Sequence, residues 1–211
     1  QTNAGSHTVT AALKDPDNYV WQDTGTAEDR TYPFVIAPKE LTVTWTGLTP
    51  VYVGSAQTAE AILSGLAGAD TAESLGFAIQ YEGDRTDAGD RCEVTAVLSG
   101  AGGSNYVLRN ATAVMTVQKR PVHFTVSGNA VEAGGGDAPT ITTDPQLPPD
   151  AYTITYRKDG LEVQDPTQPG EYEIWVELED DNYQTTGGGS RQQIGTLIIS
   201  ARPPVLYQVT F

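Results

Sequence analysis

A short segment recurs three times along this chain, and it constrains the fold more than any other feature. In the third copy a strand-like run, Gly170–Leu178, is followed by Asn182 and Tyr183. The earlier copies cover residues 89–98 and 5–13, and each is again followed by Asn-Tyr. Apolar and polar residues alternate in every copy, and this period of two is typical of a β-strand with one buried face. The chain is therefore predicted to consist of repeated β modules.

Three further strands align between the copies and establish the repeat frame. The interval is 81 residues at the first strand of the module and 80 at the recurring one. Each aligned set of apolar residues is predicted to form one buried face, because side chains alternate across a strand. The aligned sets are Leu41, Val43, Trp45 with Val122, Phe124, Val126; Phe77, Ile79, Tyr81 with Tyr152, Ile154, Tyr156; Val9, Ala11, Leu13 with Val94, Ala96, Leu98 and Ile174, Val176, Leu178; and Phe34, Ile36 with Met115, Val117 and Leu197, Ile199. The same alignment places Tyr19, Tyr106 and Tyr183 in the core.

This frame divides the chain into four parts. Residues 1–40 are predicted to be the C-terminal part of a truncated module, and 41–120 and 121–201 to be complete modules. Residues 202–211 begin a further repeat, because Tyr207, Val209 and Phe211 match the first strand of a module. The junctions between modules are short and mostly contain proline, which restricts the backbone, so they are predicted to be stiff.

The predicted fold class is mainly β, with five strands in each small tandem module. Two arrangements fit five strands: an immunoglobulin-like sandwich, or a single sheet with a covering segment. At most one short helical turn is predicted, near residues 70–75, with Asp70 as N-cap and Glu73 at N3.

The charge balance excludes several classes of function. The formal net charge is -15, from 12 Lys and Arg against 27 Asp and Glu. Such a surface is unsuited to nucleic acid or to anionic lipid, and it favours a soluble monomer. The chain has no run of about 18 apolar residues, so no membrane insertion is predicted. The single cysteine, Cys92, excludes an intramolecular disulfide and a multi-cysteine zinc site.

The rare titratable residues do not indicate an enzyme. Catalysis requires such groups to converge in a pocket, and the chain has two histidines and one cysteine. His7 and Cys92 align with Tyr172, and a position that accepts all three is interpreted as a packing site at the rim of the core. His123 is predicted to point outward.

Two acidic turns are the candidate metal site. They contain Asp15 and Asp17 in the first copy and Asp180 and Asp181 in the third, and carboxylates of this kind bind calcium. The matching loop, residues 99–105, has no acid, and Asp and Asn also stabilise turns by bonding their own backbone. The favoured interpretation is that these residues stabilise the turns and bind no cofactor, and calcium binding is the alternative.

Trp175 is the candidate ligand contact. It faces opposite to Ile174 and Val176, and the earlier copies have Thr10 and Thr95 in its place. An exposed tryptophan between carboxylates can stack on a sugar ring. The favoured interpretation is packing, in which it covers a module junction or packs under the proline-rich loop at 145–149.

Several short motifs occur along the chain: Tyr52-Val-Gly54, residues 64–71, the Ala88-Gly89 and Pro169-Gly170 turns, and the Asn-Tyr pairs. Together they resemble the MBG-type repeat domains of large secreted and surface-attached bacterial proteins. The resemblance implies a non-catalytic spacer or adhesive region outside the cell, whose partners are neighbouring repeats of the same chain. The alternative is a module that binds a host or cell-wall glycan or protein, as an accessory to a secreted glycoside hydrolase for example.

Overall fold

The computed structural model describes residues 2–134 and 138–204. The strand predicted at 207–211 lies outside the described residues. Two compact units are present. The first contains residues up to 48, 58–83 and 91–115, and the second contains 49–57, 84–90 and the chain from 116 onward. Two loops of the first predicted repeat thus belong to the second unit, and the module boundaries stay a prediction.

The first unit contains the strands of the partial copy and of the first repeat. Strands β1 (Gly5–Ala11) and β2 (Arg30–Ile36) form an antiparallel pair by themselves. The other strands form two three-stranded sheets, one in the order β4-β3-β7 and the other in the order β5-β6-β8. Their bounds are β3 Lys39–Thr46, β4 Glu60–Ser64, β5 Phe77–Glu82, β6 Arg91–Leu98, β7 Tyr106–Arg109 and β8 Thr112–Thr116, of which Thr116 falls in the second unit.

Alternating residues of these strands build the core of the first unit. Leu41 of β3 is fully buried with Leu75 and Tyr106, and Leu98 of β6 packs against them. A second cluster joins Cys92 and Val94 to other buried residues of the unit. Because the first cluster contains residues of both sheets, the repeat is a two-layer sandwich.

The second unit has the same plan with more strands. A three-stranded sheet has the order β11-β9-β15, and a five-stranded sheet has the order β10-β16-β14-β12-β13. Val122 and Phe124 of β9 pack against Val176 and Leu178 of β14, so apolar residues of the two sheets share one core. The bounds are β9 Arg120–Ser127, β10 Ala130–Glu132, β11 Thr140–Asp144, β12 Tyr152–Lys158, β13 Leu161–Val163, β14 Gly170–Leu178, β15 Tyr183–Thr185 and β16 Arg191–Ser200.

The recurring segment is the centre of this larger sheet. Strand β14 pairs antiparallel with β12 on one side and with β16 on the other. Tyr172, Ile174 and Val176 are buried along it, while Glu171 and Glu177 on the opposite face are exposed. The mainly β prediction and its two-sheet alternative are confirmed.

The predicted number of five strands per module was too low. Strands β3 to β8 give six in the first repeat, and β9 to β16 give eight in the second. The Asn-Tyr pair is the main reason, because it is not only a turn. Tyr106 and Tyr183 begin the short strands β7 and β15, which pair in parallel with the first strand of their repeat. Runs of three or four residues are too short to show a clear period.

The helical segments also differ from the prediction. Two 3₁₀ turns lie at Gly103–Asn105 and Pro149–Ala151. At 70–75, Thr71 and Ser74 take the capping roles predicted for Asp70 and Glu73. The Thr71 N–H donates to Ser74 Oγ at 2.9 Å, and the Ser74 N–H donates to Thr71 Oγ1 at 3.1 Å.

Asp70 has a different role from the predicted N-cap. Its carboxylate accepts a hydrogen bond from the Tyr106 hydroxyl at 2.5 Å, and this bond raises the pKa of that hydroxyl. The hydroxyl also accepts the Ala67 N–H at 3.2 Å. Tyr106 therefore ties the loop before Thr71 to the core.

The first copy is not buried as predicted. Val9 is 54% exposed, Phe34 40% and Tyr19 65%. Within the described residues, β1 and β2 form a separate two-stranded sheet, and no core cluster includes them. A two-stranded ribbon cannot bury an apolar face unless another layer covers it. The alignment was right about which residues share a face and wrong about their burial.

Candidate functional site: the repeat junction and the outer-face tryptophan

The linker between the two repeats is hydrogen-bonded along its backbone within the second unit. Gln118 donates its N–H to Pro50 O at 2.7 Å and accepts the Tyr52 N–H at 2.9 Å. Two residues later, the Arg120 N–H donates to Asn182 O at 2.9 Å. The backbone on both sides of Lys119 is therefore held, which a flexible linker would not show.

An aromatic contact accompanies these bonds. The rings of Tyr52 and Tyr183 meet edge to face, with 5.5 Å between centroids and an interplanar angle of 83°. Desolvation raises the pKa of the Tyr52 hydroxyl, and the nearby Tyr183 and Asp180 raise it further. Tyr52 belongs to the Tyr-Val-Gly motif and Tyr183 to an Asn-Tyr pair, so two of the motifs that carry the family resemblance meet at this junction.

Asn182 is a residue whose role the sequence did not reveal. Its Oδ1 accepts the N–H of Ala88 at 2.7 Å, and its own N–H donates to Asp180 Oδ1 at 2.9 Å. With the bond from Arg120, it joins its own turn to two other segments of the second unit. The recurrence of the Asn-Tyr pair was the sequence feature that pointed to this residue, but the asparagine was interpreted only as part of a turn.

The four aspartates of the calcium hypothesis are in two separate turns. Asp15 accepts bonds from the Asn18 side chain, the closer at 2.9 Å, and Asp181 lies 3.4 Å from Lys119 Nζ. In the ranges that the structure describes, no group of three or more Asp, Glu, His or Cys could hold a metal ion. The observed contacts of Asp15 and Asp180 are turn hydrogen bonds, and calcium binding through Asp15, Asp17, Asp180 and Asp181 remains a hypothesis.

Trp175 lies on the outer face of the five-stranded sheet and is partly buried. Its Nε1–H donates to Glu173 Oε2 at 2.8 Å. The guanidinium carbons of Arg157 and Arg191 lie 5.6 and 5.2 Å from the ring centroid, one on each neighbouring strand. Both distances are in the range of a cation–π interaction.

The predicted packing of Trp175 under the proline-rich loop is wrong. Leu147 of that loop packs in the core beside Val176, on the other face of β14 from Trp175. Leu147 of this loop is buried between the two sheets, whereas the tryptophan is held by side chains of its own sheet.

The position shared by His7, Cys92 and Tyr172 belongs to the core in the second and third copies, whereas His7 in the first copy is only partly buried. Cys92 is fully buried, and Tyr172 is 3% exposed. His7 bonds Asn3 O at 2.8 Å through Nε2, and its ring centroid lies 5.4 Å from that of Phe34. Each of these side chains has packing contacts, and nothing groups them as catalytic residues.

One cavity of about 340 Å³ lies in the second unit. Its walls include Val131, Tyr156, Leu197 and Ile199, with Asp165 at one side. Burial raises the pKa of the Tyr156 hydroxyl, and the charge of Asp165 raises it further.

These features define a class of protein: β-sandwich units built from a recurring strand pattern. Residues 127–202 match the model of a protein family described as the MBG domain. The resemblance inferred from the motifs is thereby confirmed there. A comparison with curated proteins found no match. The described residues also contain no helix with the length and hydropathy needed to cross a membrane.

Proposed function

We propose that this chain is a non-catalytic repeat region of a large bacterial extracellular or cell-surface protein, in which it acts as a spacer or stalk. The MBG match supports an extracellular repeat module, and the recurrence of the strand pattern supports an array. In such an array each repeat buries its own core, so reach grows with the number of repeats. The role needs no cofactor, and its partners are the neighbouring repeats.

The observation that carries this proposal is the bonded linker. Gln118 and Arg120 direct their N–H groups to Pro50 and Asn182, and each such bond contributes about 1 kcal/mol net. Bending at Lys119 would break these bonds and separate Tyr52 from Tyr183. A spacer requires this resistance to bending, whereas a string of independent domains does not.

Hydrogen exchange of the linker amides tests the proposal. The N–H groups of Gln118 and Arg120 are expected to exchange as slowly as those of strand residues such as Val122. Ser55 and Ala56, which are exposed and outside any strand, provide the fast reference. Exchange at 118 and 120 as fast as at this reference would overturn the stiff-spacer function.

The second candidate function is binding of a glycan or protein through Trp175. The observation that favours it is the position of a large aromatic side chain on an outer sheet face, flanked by Arg157 and Arg191. Against it, the ring already has contacts with these two cations and with Glu173.

The variant Trp175→Ala separates the two candidates. We expect it to lower the free energy of unfolding by about 1 kcal/mol or more, since cation–π contacts and packing are lost, and to leave glycan-array signals unchanged. Thr95→Ala is the matched control, because Thr95 occupies the aligned position in the first repeat. Selective loss of a glycan signal with unchanged stability would support the binding function instead.

A further inference from the structure

The same long-range hydrogen bond occurs twice in this chain, once in each compact unit. Asn105 Oδ1 accepts the N–H of Ala4 at 2.7 Å, and Asn182 Oδ1 accepts the N–H of Ala88 at 2.7 Å. Both asparagines come from Asn-Tyr pairs, and both alanines directly precede the glycine that opens the recurring strand segment. The partners are 101 and 94 residues apart, so the bonds are tertiary and not local.

The turn at 86–90 presents the Ala88 N–H outward. The N–H groups of Thr86 and Asp87 donate to Asp90 Oδ2 at 3.0 and 2.8 Å, and the Gly89 N–H donates to Val117 O at 2.9 Å. Ala88 lies between these internally bonded residues, and its N–H reaches Asn182 instead. Gly89 has φ +94°, a conformation that favours glycine and lets the chain reverse here.

The chemistry of this contact fixes the orientation of the asparagine side chain. A backbone N–H can only donate, so the amide oxygen and not the nitrogen must face it. The backbone of Asn182 is held as well, because its N–H donates to Asp180 and its C=O accepts from Arg120. A fixed backbone reduces the entropy that is lost when the side chain forms the bond.

We propose that Asn105 and Asn182 are coupling residues, each of which binds the small-residue–glycine turn of the repeat preceding it. The partner is defined by chemistry: a turn whose residue before the glycine has a free N–H to donate. The inference rests on the proposed spacer function and names a specific contact between successive repeats.

The coupling is selective, because the third copy has Pro169 in place of alanine. Proline has no N–H, so the Pro169-Gly170 turn cannot donate to an asparagine in this way. The sequence thus carries the small-residue–glycine turn in one form that can donate this bond and in one form that cannot.

Hydrogen exchange of the Ala88 amide in the full 211-residue chain tests the proposal. In Asn182→Ala, the Ala88 N–H is expected to exchange about five- to tenfold faster, because one net hydrogen bond is lost. The Asp87 amide, which donates to Asp90, and the Gly89 amide, which donates to Val117, should keep their rates. Asn182→Asp retains an acceptor and should preserve the slow exchange, and Asn18→Ala should change nothing at Ala88.

Ala88→Pro removes the donor of the same hydrogen bond. It also places a proline before the glycine of this turn, as Pro169 does in the second repeat. If Asn182→Ala and Ala88→Pro each destabilise the second unit, the double variant should be no less stable than the worse single one. Full additivity of the two effects would overturn the coupling role, as would an unchanged Ala88 rate in Asn182→Ala. Slow exchange at Gln118 and Arg120 in either case would leave the spacer function standing, so the two proposals fail separately.

Discussion

Replacing Ile174 by alanine is expected to lower the free energy of unfolding of the second unit by about 2–5 kcal/mol. Ile174 is fully buried in β14, the strand at the centre of the five-stranded sheet. It packs with Tyr172, Leu197 and Ile199, and truncation would leave a cavity that these side chains cannot fill. Urea denaturation followed by circular dichroism measures the change.

Ile198→Ala is the matched control for this prediction. Ile198 lies in the neighbouring strand β16 and is 43% exposed, so the same truncation should cost about 1 kcal/mol or less. Equal losses for the two variants would show that the alternation along these strands does not separate a buried from an exposed face. The comparison thus tests the assignment of the core and not only its stability.

Gly100→Ala is expected to destabilise the first unit by about 3 kcal/mol, since it forces backbone atoms apart. A Cβ at Gly100 would lie 2.6 Å from the Leu75 carbonyl carbon and 2.7 Å from Ser74 O. Neither atom can move easily, because the Gly100 N–H donates to Leu75 O at 2.8 Å and holds the two segments together. Thermal unfolding of the full chain, followed by calorimetry, measures the loss.

Gly187→Ala provides the control for the glycine effect. Its added Cβ would meet Gln192 Oε1 at 3.5 Å, an ordinary contact with a flexible side chain. A change of about 1 kcal/mol or less is expected there. A loss at Gly100 no larger than the loss at Gly187 would contradict the close approach of residues 74–75 to the 99–105 loop.

Only part of the structure around Gly100 could be predicted from the sequence. Its composition of Ser, Gly and Ala predicted a turn, and a turn with a short 3₁₀ segment is present. The need for glycine at position 100 arises from residues 74 and 75, which are distant in sequence. A composition rule treats Gly100 and Gly187 alike, and only the neighbouring backbone distinguishes them.

Trp175 illustrates the same limit at the candidate site. Alternation along β14 placed it on the outer face, and the structure shows it there. Its contacts with Arg157 and Arg191 depend on the register of β12 and β16 against β14, which sets the residues that flank it. Strand order and register are tertiary properties, so neither arginine was named in advance.

The sequence by itself determined the β class, the repeat frame and the side-chain faces, since a period of two and a recurrence near 80 residues are written in the order of the amino acids. Only the tertiary structure decided which faces are covered. Val9 and Val94 align, yet Val9 is 54% exposed and Val94 is fully buried. The physical reason is that alternation selects a face, whereas burial needs a second layer from elsewhere in the chain. The bonds of Asn105 and Asn182 have the same origin, because each acceptor meets a donor that lies about 100 residues away.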